Sequence, residues 1–98
     1  VRAFPLQAVT GASGSQTIFI TVHDQSRAAL ADVQPAITVH YPSGQEIKYV
    51  VPMRTNAQGL AQFTFPFSGE MIGLVRIDVT VYYEQLQGST VTSFRIWW

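Results

Sequence analysis

The 98-residue chain contains no cysteine, and only 12% of its residues are charged, half the ~25% that is usual for a globular domain. The absence of cysteine excludes disulfides, thiolate metal sites and cysteine nucleophiles. Six basic and six acidic residues cancel, so the chain lacks the positive field of a protein that binds nucleic acid or an anionic membrane. We therefore expect no nucleic-acid partner.

Long apolar runs are also missing. The longest uninterrupted apolar stretch is only a few residues, far short of the ~20 that a membrane-spanning helix needs, so we expect no membrane insertion. The length is that of one domain, and we expect residues 1–98 to form it. Because the chain opens on Val1 rather than Met, with no signal-peptide pattern, we expect it to be part of a longer protein.

What the sequence does contain is an alternation of apolar and polar residues with a period of two. Val75, Ile77, Val79 and Val81 fall on one face of the segment 74–84, and polar residues such as Asp78 fall between them. Successive side chains of a β-strand point to opposite sides, so this alternation predicts a half-buried strand. Similar segments are 1–9, 16–23, 35–41, 46–51, 60–67 and 90–98.

No helical periodicity separates these segments, and short turn-forming stretches lie between them. The stretches 42–45 and 55–59 contain glycine with proline or asparagine, a composition typical of tight turns. We interpret 24–34 and 85–89 as loops, and Pro5 favours an edge position for the first strand. Seven short strands predict an all-β antiparallel sandwich. The expected core contains Phe63, Phe65, Ile77, Val79 and Ile96.

Several spacings are typical of one family of such sandwiches. They are Val22-x-Asp24, Ile37-x-Val39, the hairpin Gly44, Thr55-x-x-x-Gly59-x-Ala61-x-Phe63 and Val75-x-Ile77-x-Val79-x-Val81. The chain from Gln16 to Ile96 thus resembles bacterial immunoglobulin-like domains of the invasin and intimin type. It is also similar to macroglobulin-type domains and to transthyretin-like modules. It departs from the family at Asp24–Ala29, which replaces the usual D-x-x-G-x-P stretch.

The resemblance implies an immunoglobulin-like fold and an extracellular or cell-surface location. It also implies a non-catalytic role as a spacer or adhesion module, with neighbouring domains of the same chain as partners. Such domains carry no catalytic residues and no cofactor in these families. The resemblance therefore predicts that the chain is not an enzyme.

Candidate chemical sites in the sequence are weak. His23, Asp24 and His40 could form a metal trio only if the two histidines were cross-strand neighbours, and nothing in their spacing is typical of a zinc site. Asp24 and Asp32 flank one loop, but two carboxylates are few for calcium; each more simply caps a turn. Ser13 lies in G-A-S-G, which misses the nucleophile motif G-x-S-x-G. We expect no metal, cofactor or catalytic site.

Adjacent aromatic pairs are the most informative surface feature. In the pairs Tyr82-Tyr83 and Trp97-Trp98, strand alternation directs one ring outward. We predict that Tyr82 and Trp97 point outward and that Trp98 packs at one end of the core. Trp97, Tyr82 and Tyr49 are the candidate contacts for a partner or ligand. Our main hypothesis is a spacer module; the alternative is a module that binds carbohydrate or protein through exposed aromatic residues.

Overall fold

The computed structural model describes residues 1–83 and 86–98, and within these ranges the chain forms eight β-strands and no helix. The strands are β1 (Arg2–Pro5), β2 (Val9–Thr10), β3 (Gly14–Thr21), β4 (Gln34–His40), β5 (Glu46–Val50), β6 (Leu60–Phe67), β7 (Gly73–Tyr83) and β8 (Leu86–Ile96). The all-β prediction is confirmed, with one strand more than expected. Across the same ranges, no helix has the length and apolarity to cross a bilayer.

The strands form two sheets. One has three strands in the order β1-β3-β6, and the other has five in the order β2-β8-β7-β4-β5. All pairings are antiparallel except that of β2 with β8, which is parallel. The chain changes sheet after β1, β2, β3, β5 and β6. This repeated crossing places one apolar layer between the sheets, as in the predicted β-sandwich.

The core consists of the alternate residues that each sheet directs inward. Phe65 lies among other aromatic rings, with its ring centroid 5.8 Å from that of Tyr49 and 6.4 Å from that of Phe94. Phe63 is partly buried beside this cluster. The other predicted core residues, which are Phe65, Ile77, Val79 and Ile96, are buried as expected. Tyr49 points inward, in line with the period of two.

The two predicted turns form between the strands that they were expected to connect. In the first, the Tyr41 N–H donates to the Gln45 carbonyl and the Gly44 N–H donates to the Tyr41 carbonyl, each at 2.9 Å. Gly44 has φ 93°, in the region that favours glycine. In the second, the Gly59 N–H donates to the Asn56 carbonyl at 2.9 Å. The loop prediction for 24–34 is also confirmed as far as Val33, since β4 begins at Gln34.

The N-terminal segment differs from the prediction of one extended strand over 1–9. It divides into β1 and β2, which belong to different sheets. Pro5, at the end of β1, has no N–H to donate, and β1 is an edge strand as predicted. The chain then crosses the sandwich, and β2 pairs with Arg95 and Ile96 in the opposite sheet.

The predicted loop 85–89 is wrong for the part of it that the structure describes. Residues 86–89 belong to β8, and Gly88 pairs with Val81 of β7; Glu84 and Gln85 lie outside the described residues. A Cβ on Gly88 would lie 3.4 Å from the Val81 side chain and 3.5 Å from that of Val1. Gly88 therefore lies where Val1 covers the strand, and it does not mark a turn.

The prediction that Trp98 packs inward is also wrong. Phe94 and Ile96 are buried as expected, but β8 ends at Ile96, and the side chain of Trp98 is 68% exposed. Strand alternation gives the side to which a residue points, not the place where the opposite sheet ends. Trp98 lies beyond that place, beside Gly11. Trp97 is 64% exposed, as predicted.

Candidate functional site

The three aromatic residues expected to contact a partner do not share a surface. Trp97 and Tyr82 are 64% and 60% exposed, but they lie at opposite ends of the paired strands β7 and β8. Tyr82 pairs with Gln87, whereas Trp97 follows Ile96 at the other end of β8. Tyr49 is partly buried, with its ring centroid 5.0 Å from that of Phe63. These residues therefore do not form one aromatic platform.

Exposed apolar side chains cluster at the end of the five-stranded sheet that contains Trp97. Val9 and Leu74 pair with Arg95 from the two sides of β8. Ile72 immediately precedes β7 at this end, where Gly73 pairs with Ile96. The exposed fractions are 45% for Val9, 66% for Ile72, 52% for Leu74 and 64% for Trp97. We call these four residues the terminal patch.

The terminal patch was only partly visible in the sequence. Alternation places Leu74 and Trp97 on the outer side of their strands, but Val9 joins them only through the parallel pairing of β2 with β8. That pairing connects residues far apart in the chain, and no local pattern predicts it. Exposed apolar residues are ordinary when scattered singly. Neighbouring ones mark an interaction surface more often.

A groove of about 350 Å³ lies beside Trp98. Its lining includes Phe67 and the neutral polar residues Gln7, Ser13 and Ser15, and none of its lining residues is charged. The Trp98 indole lies so close to Gly11 that a Cβ there would be 2.6 Å from Nε1. The Ala12 N–H donates to the Trp98 carbonyl at 2.9 Å. In the sequence, this glycine- and serine-rich stretch indicated only a turn.

A cluster of charged and polar side chains lies on the outer face of the five-stranded sheet. His40 Nε2 is 2.7 Å from Asp78 Oδ2, and His40 Nδ1 is 3.1 Å from Glu46 Oε1. Arg76 Nε is 3.4 Å from Asp78 Oδ1. A neutral imidazole has only one N–H to donate, so both carboxylate contacts are favourable together only with a protonated ring. The cluster thus connects β5, β4 and β7.

The residues considered as metal ligands are not brought together. His23 follows β3 in one sheet, whereas His40 lies on β4 in the other. The Asp32 carboxylate is 3.8 Å from Arg54 Nε, while the Asp24 carboxylate accepts hydrogen bonds from its own loop. Among residues 1–83 and 86–98, no group of three or more histidine, aspartate or glutamate side chains is arranged to hold a metal ion.

Asp24 organises the loop that follows β3. Its Oδ1 accepts hydrogen bonds from the Ser26 N–H at 2.8 Å, the Ser26 hydroxyl at 2.7 Å and the Ala28 N–H at 2.9 Å. The Ser26 hydroxyl, and then the Ala28 N–H, hold the pKa of Asp24 below its usual value. The carboxylate therefore caps the turn, as expected for an aspartate in such a loop.

A cavity with a volume of about 720 Å³ opens beside this loop. Val22, Leu30 and Val81 provide apolar lining, and His23 and Asp24 contribute polar groups. Asp24 already caps the loop, and His23 is exposed to solvent. This combination does not define a class of ligand.

Tyr41 is the one residue with a buried side-chain polar atom that lacks a hydrogen-bond partner in the described part of the chain. It is only 4% exposed. Burial raises the pKa of Tyr41 to about 12, and Tyr49 and Glu70 add smaller contributions in the same direction. The phenol is therefore neutral at physiological pH and contributes no charge to any site.

Comparisons of the chain with known protein families and with characterised proteins find no match. The resemblance in strand and turn spacing thus has no support from sequence similarity along the whole chain.

Proposed function

We propose that this chain is a non-catalytic immunoglobulin-like module of a larger secreted or cell-surface bacterial protein. In this role it orients neighbouring domains. The single observation that carries the proposal is the terminal patch, because a domain–domain contact would cover such an exposed apolar surface. Two sheets within 98 residues also fit the size and layering of immunoglobulin-like sandwiches. The location and the bacterial origin come from the resemblance alone.

The residues of the patch suit a contact between domains. Interfaces between domains of one chain typically bury about 600–1,500 Å² and are more polar than permanent interfaces. A few large side chains, often tryptophan, contribute most of the binding energy of such contacts. Trp97 is the largest side chain of the patch, and Arg95 between Val9 and Leu74 adds a polar group.

Hydroxyl-radical footprinting tests this proposal. The oxidation of each side chain is compared between the isolated 98-residue chain and the longer protein that contains it. We expect Trp97 and Leu74 to be protected in the longer protein. Tyr82 is the matched control, since its exposed fraction is close to that of Trp97 but it lies at the other end of the sheet. Equal oxidation of Trp97 in both samples would contradict the proposal.

A second candidate function is the binding of a neutral sugar in the groove beside Trp98. The observation that favours it is the combination of an exposed indole with hydroxyl and amide side chains and no charge. Sugar rings stack on such aromatic faces, and neutral hydroxyl groups need no ionic partner.

A glycan screen of the chain tests this second candidate. If a neutral sugar binds, Trp98→Ala should abolish binding, while Trp97→Ala should leave it unchanged because Trp97 does not line the groove. The absence of any glycan ligand, or equal loss in both variants, would reject the groove as the site.

A further inference from the structure

Three of the four edges of the two sheets are short or charged. The edge strand β1 has four residues and ends in Pro5, and β2 has only two. The edge strand β5 carries Glu46 and Lys48. Short length, proline and charge are the features by which natural proteins prevent unwanted strand pairing at sheet edges.

The fourth edge, β6, has little of this protection. It is eight residues long and contains no charged residue. Its backbone pairs with β3 on one side. On the other side, the Leu60 carbonyl accepts from the Asn56 N–H, but from Ala61 to Phe67 no backbone partner exists among the described residues. Pro66 removes one donor near the end of the strand.

The sheet behind this edge is also almost free of charge. Neither β3 nor β6 contains a charged residue, and the one charge of the three-stranded sheet is Arg2 on the far strand β1. On the outer side of β6, Gln62 and Thr64 are exposed. A strand laid against β6 would therefore meet unpaired backbone groups and neutral side chains.

These properties favour a second copy of the chain as the partner. An identical strand carries no charge of its own, so that pairing β6 with itself places no like charges opposite each other. Antiparallel pairing about a two-fold axis would bring Gln62 and Thr64 of one copy opposite the same residues of the other. These uncharged pairs avoid the penalty of like charges directly opposite each other, and two-fold contacts are the commonest in soluble oligomers.

We propose that two copies of this chain associate through β6, antiparallel about a two-fold axis, which joins their three-stranded sheets into one continuous sheet. The pairing centres within Ala61–Phe65, since Pro66 has no N–H to contribute. The contact is narrow, and narrow interfaces are typical of weak complexes. The dimer therefore dissociates on dilution.

Sedimentation equilibrium over a wide range of chain concentrations is the first test. We expect a reversible monomer–dimer equilibrium for the unchanged chain. Thr64→Lys, which places a charge on the outer side of β6, should weaken dimerisation at least tenfold. The control is Val50→Lys, which adds the same charge to the exposed outer side of the other long edge, β5, and should leave the equilibrium unchanged.

Cysteine cross-linking is the second test, and it is clean because the chain has no cysteine. The variants Gln62→Cys and Thr64→Cys are oxidised separately and as a mixture. A two-fold axis at position 62, 63 or 64 gives a different cross-link in each case: 62 with 62, 62 with 64, or 64 with 64. Val50→Cys is the control and should cross-link no faster than random collision allows.

Three outcomes would overturn the proposal. The first is a chain that stays monomeric at the highest soluble concentration. The second is a dimer that survives Thr64→Lys and gives none of the three cross-links. The third is a dimer lost in Trp97→Ala, which would locate the contact at the terminal patch. Because Thr64 lies on the three-stranded sheet and Trp97 directly follows β8 of the five-stranded sheet, failure here leaves the proposed module function separately testable.

Discussion

The two sheets bury the same kinds of residue but expose different ones. Toward the core, Ile20 of the three-stranded sheet and Ile77 of the five-stranded sheet are both fully buried. On the outside, the five-stranded sheet carries the charged cluster around His40, and the three-stranded sheet carries a hydrogen bond of 2.8 Å between the Thr17 and Thr64 hydroxyls. Both sheets therefore contribute buried residues that stabilise the fold. Their outer faces differ, and this difference decides what each sheet can contact.

The two sheets also differ in how well their edge strands are protected against pairing with another strand. The charges of the five-stranded sheet include Glu46 and Lys48 on its edge strand β5. Charge at an edge opposes pairing with another strand. The three-stranded sheet has no charged residue on its edge strand β6, so we expect association there. The terminal patch provides a separate surface on the charged sheet.

The largest expected effect tests the equivalence of the two sheets in the core. Ile77→Ala and Ile20→Ala should each lower the free energy of unfolding by about 2–5 kcal/mol, the range for truncating a packed core residue. Chemical denaturation of the two variants measures this loss. A loss below ~0.5 kcal/mol for Ile77→Ala would contradict the inward register of β7, and a large difference between the two would break the equivalence.

The fold was predictable because its dominant signal is local. Alternation alone places Ile77 and Phe65 in the core, and the missing N–H of Pro5 places the first strand at an edge. The loop prediction is wrong at Gly88 because a glycine in a strand and a glycine in a turn look alike in sequence. What separates them here is the side chain of Val1 near Gly88, a contact between distant parts of the chain.

The next effect concerns the buried phenol of Tyr41, between the two sheets. Its pKa is about 12 when folded, against an ordinary value of 10.0. A pKa raised by folding means that stability is intact below pH 10 and is lost as the pH rises from 10 toward 12, because the unfolded chain loses its proton first. We expect a loss of about 2–3 kcal/mol across this window.

Tyr41→Phe is the matched variant for this prediction. It removes the titrating group and also the hydroxyl that lacks a partner, so it should be neutral or slightly stabilising at pH 7. The difference in unfolding free energy between the two proteins, measured by denaturation from pH 9 to pH 12, should change in favour of the variant. A difference that is constant over this range would contradict the raised pKa.

A smaller effect distinguishes the outer surfaces of the two sheets. Asp78→Asn should lower stability by about 0.5–1 kcal/mol, because Asp78 contacts His40 and Arg76 and partly exposed ion pairs contribute little. The loss should shrink in high salt. Thr64→Val, which removes the hydroxyl pair with Thr17, should have an effect that does not depend on salt. Equal salt dependence of the two variants would contradict an electrostatic difference between the outer faces of the two sheets.

The candidate sites were less predictable than the fold. Strand parity correctly directed Trp97 outward, but the terminal patch depends on the pairing of β2 with β8. Tyr49 is a predicted contact whose own strand parity directs it inward, and in the structure it packs beside Phe63. The position of Trp98 depends on where the core ends. These features arise from contacts across the chain, which local spacing does not encode.

The smallest effect compares the two tryptophans at the end of β8. Both are more than half exposed, so Trp97→Ala and Trp98→Ala should each change the unfolding free energy by less than about 0.5 kcal/mol, as surface substitutions usually do. Since the chain has only two tryptophans, each variant leaves one fluorescent reporter. A loss of unfolding free energy above ~2 kcal/mol for Trp98→Ala would indicate that Trp98 is buried, as strand alternation predicts.

Gly11→Ala sharpens this comparison. Its Cβ would lie 2.6 Å from Trp98 Nε1, but the exposed ring is free to turn away, so we expect little change in stability. With Trp97→Ala as the background, Trp98 is the sole reporter, and Gly11→Ala should make its fluorescence more accessible to acrylamide. With Trp98→Ala as the background, the fluorescence of Trp97 should not change. A response from Trp97 alone would mean that Gly11 lies against the Trp97 ring. Gly11 and Trp98 would then not line the groove together.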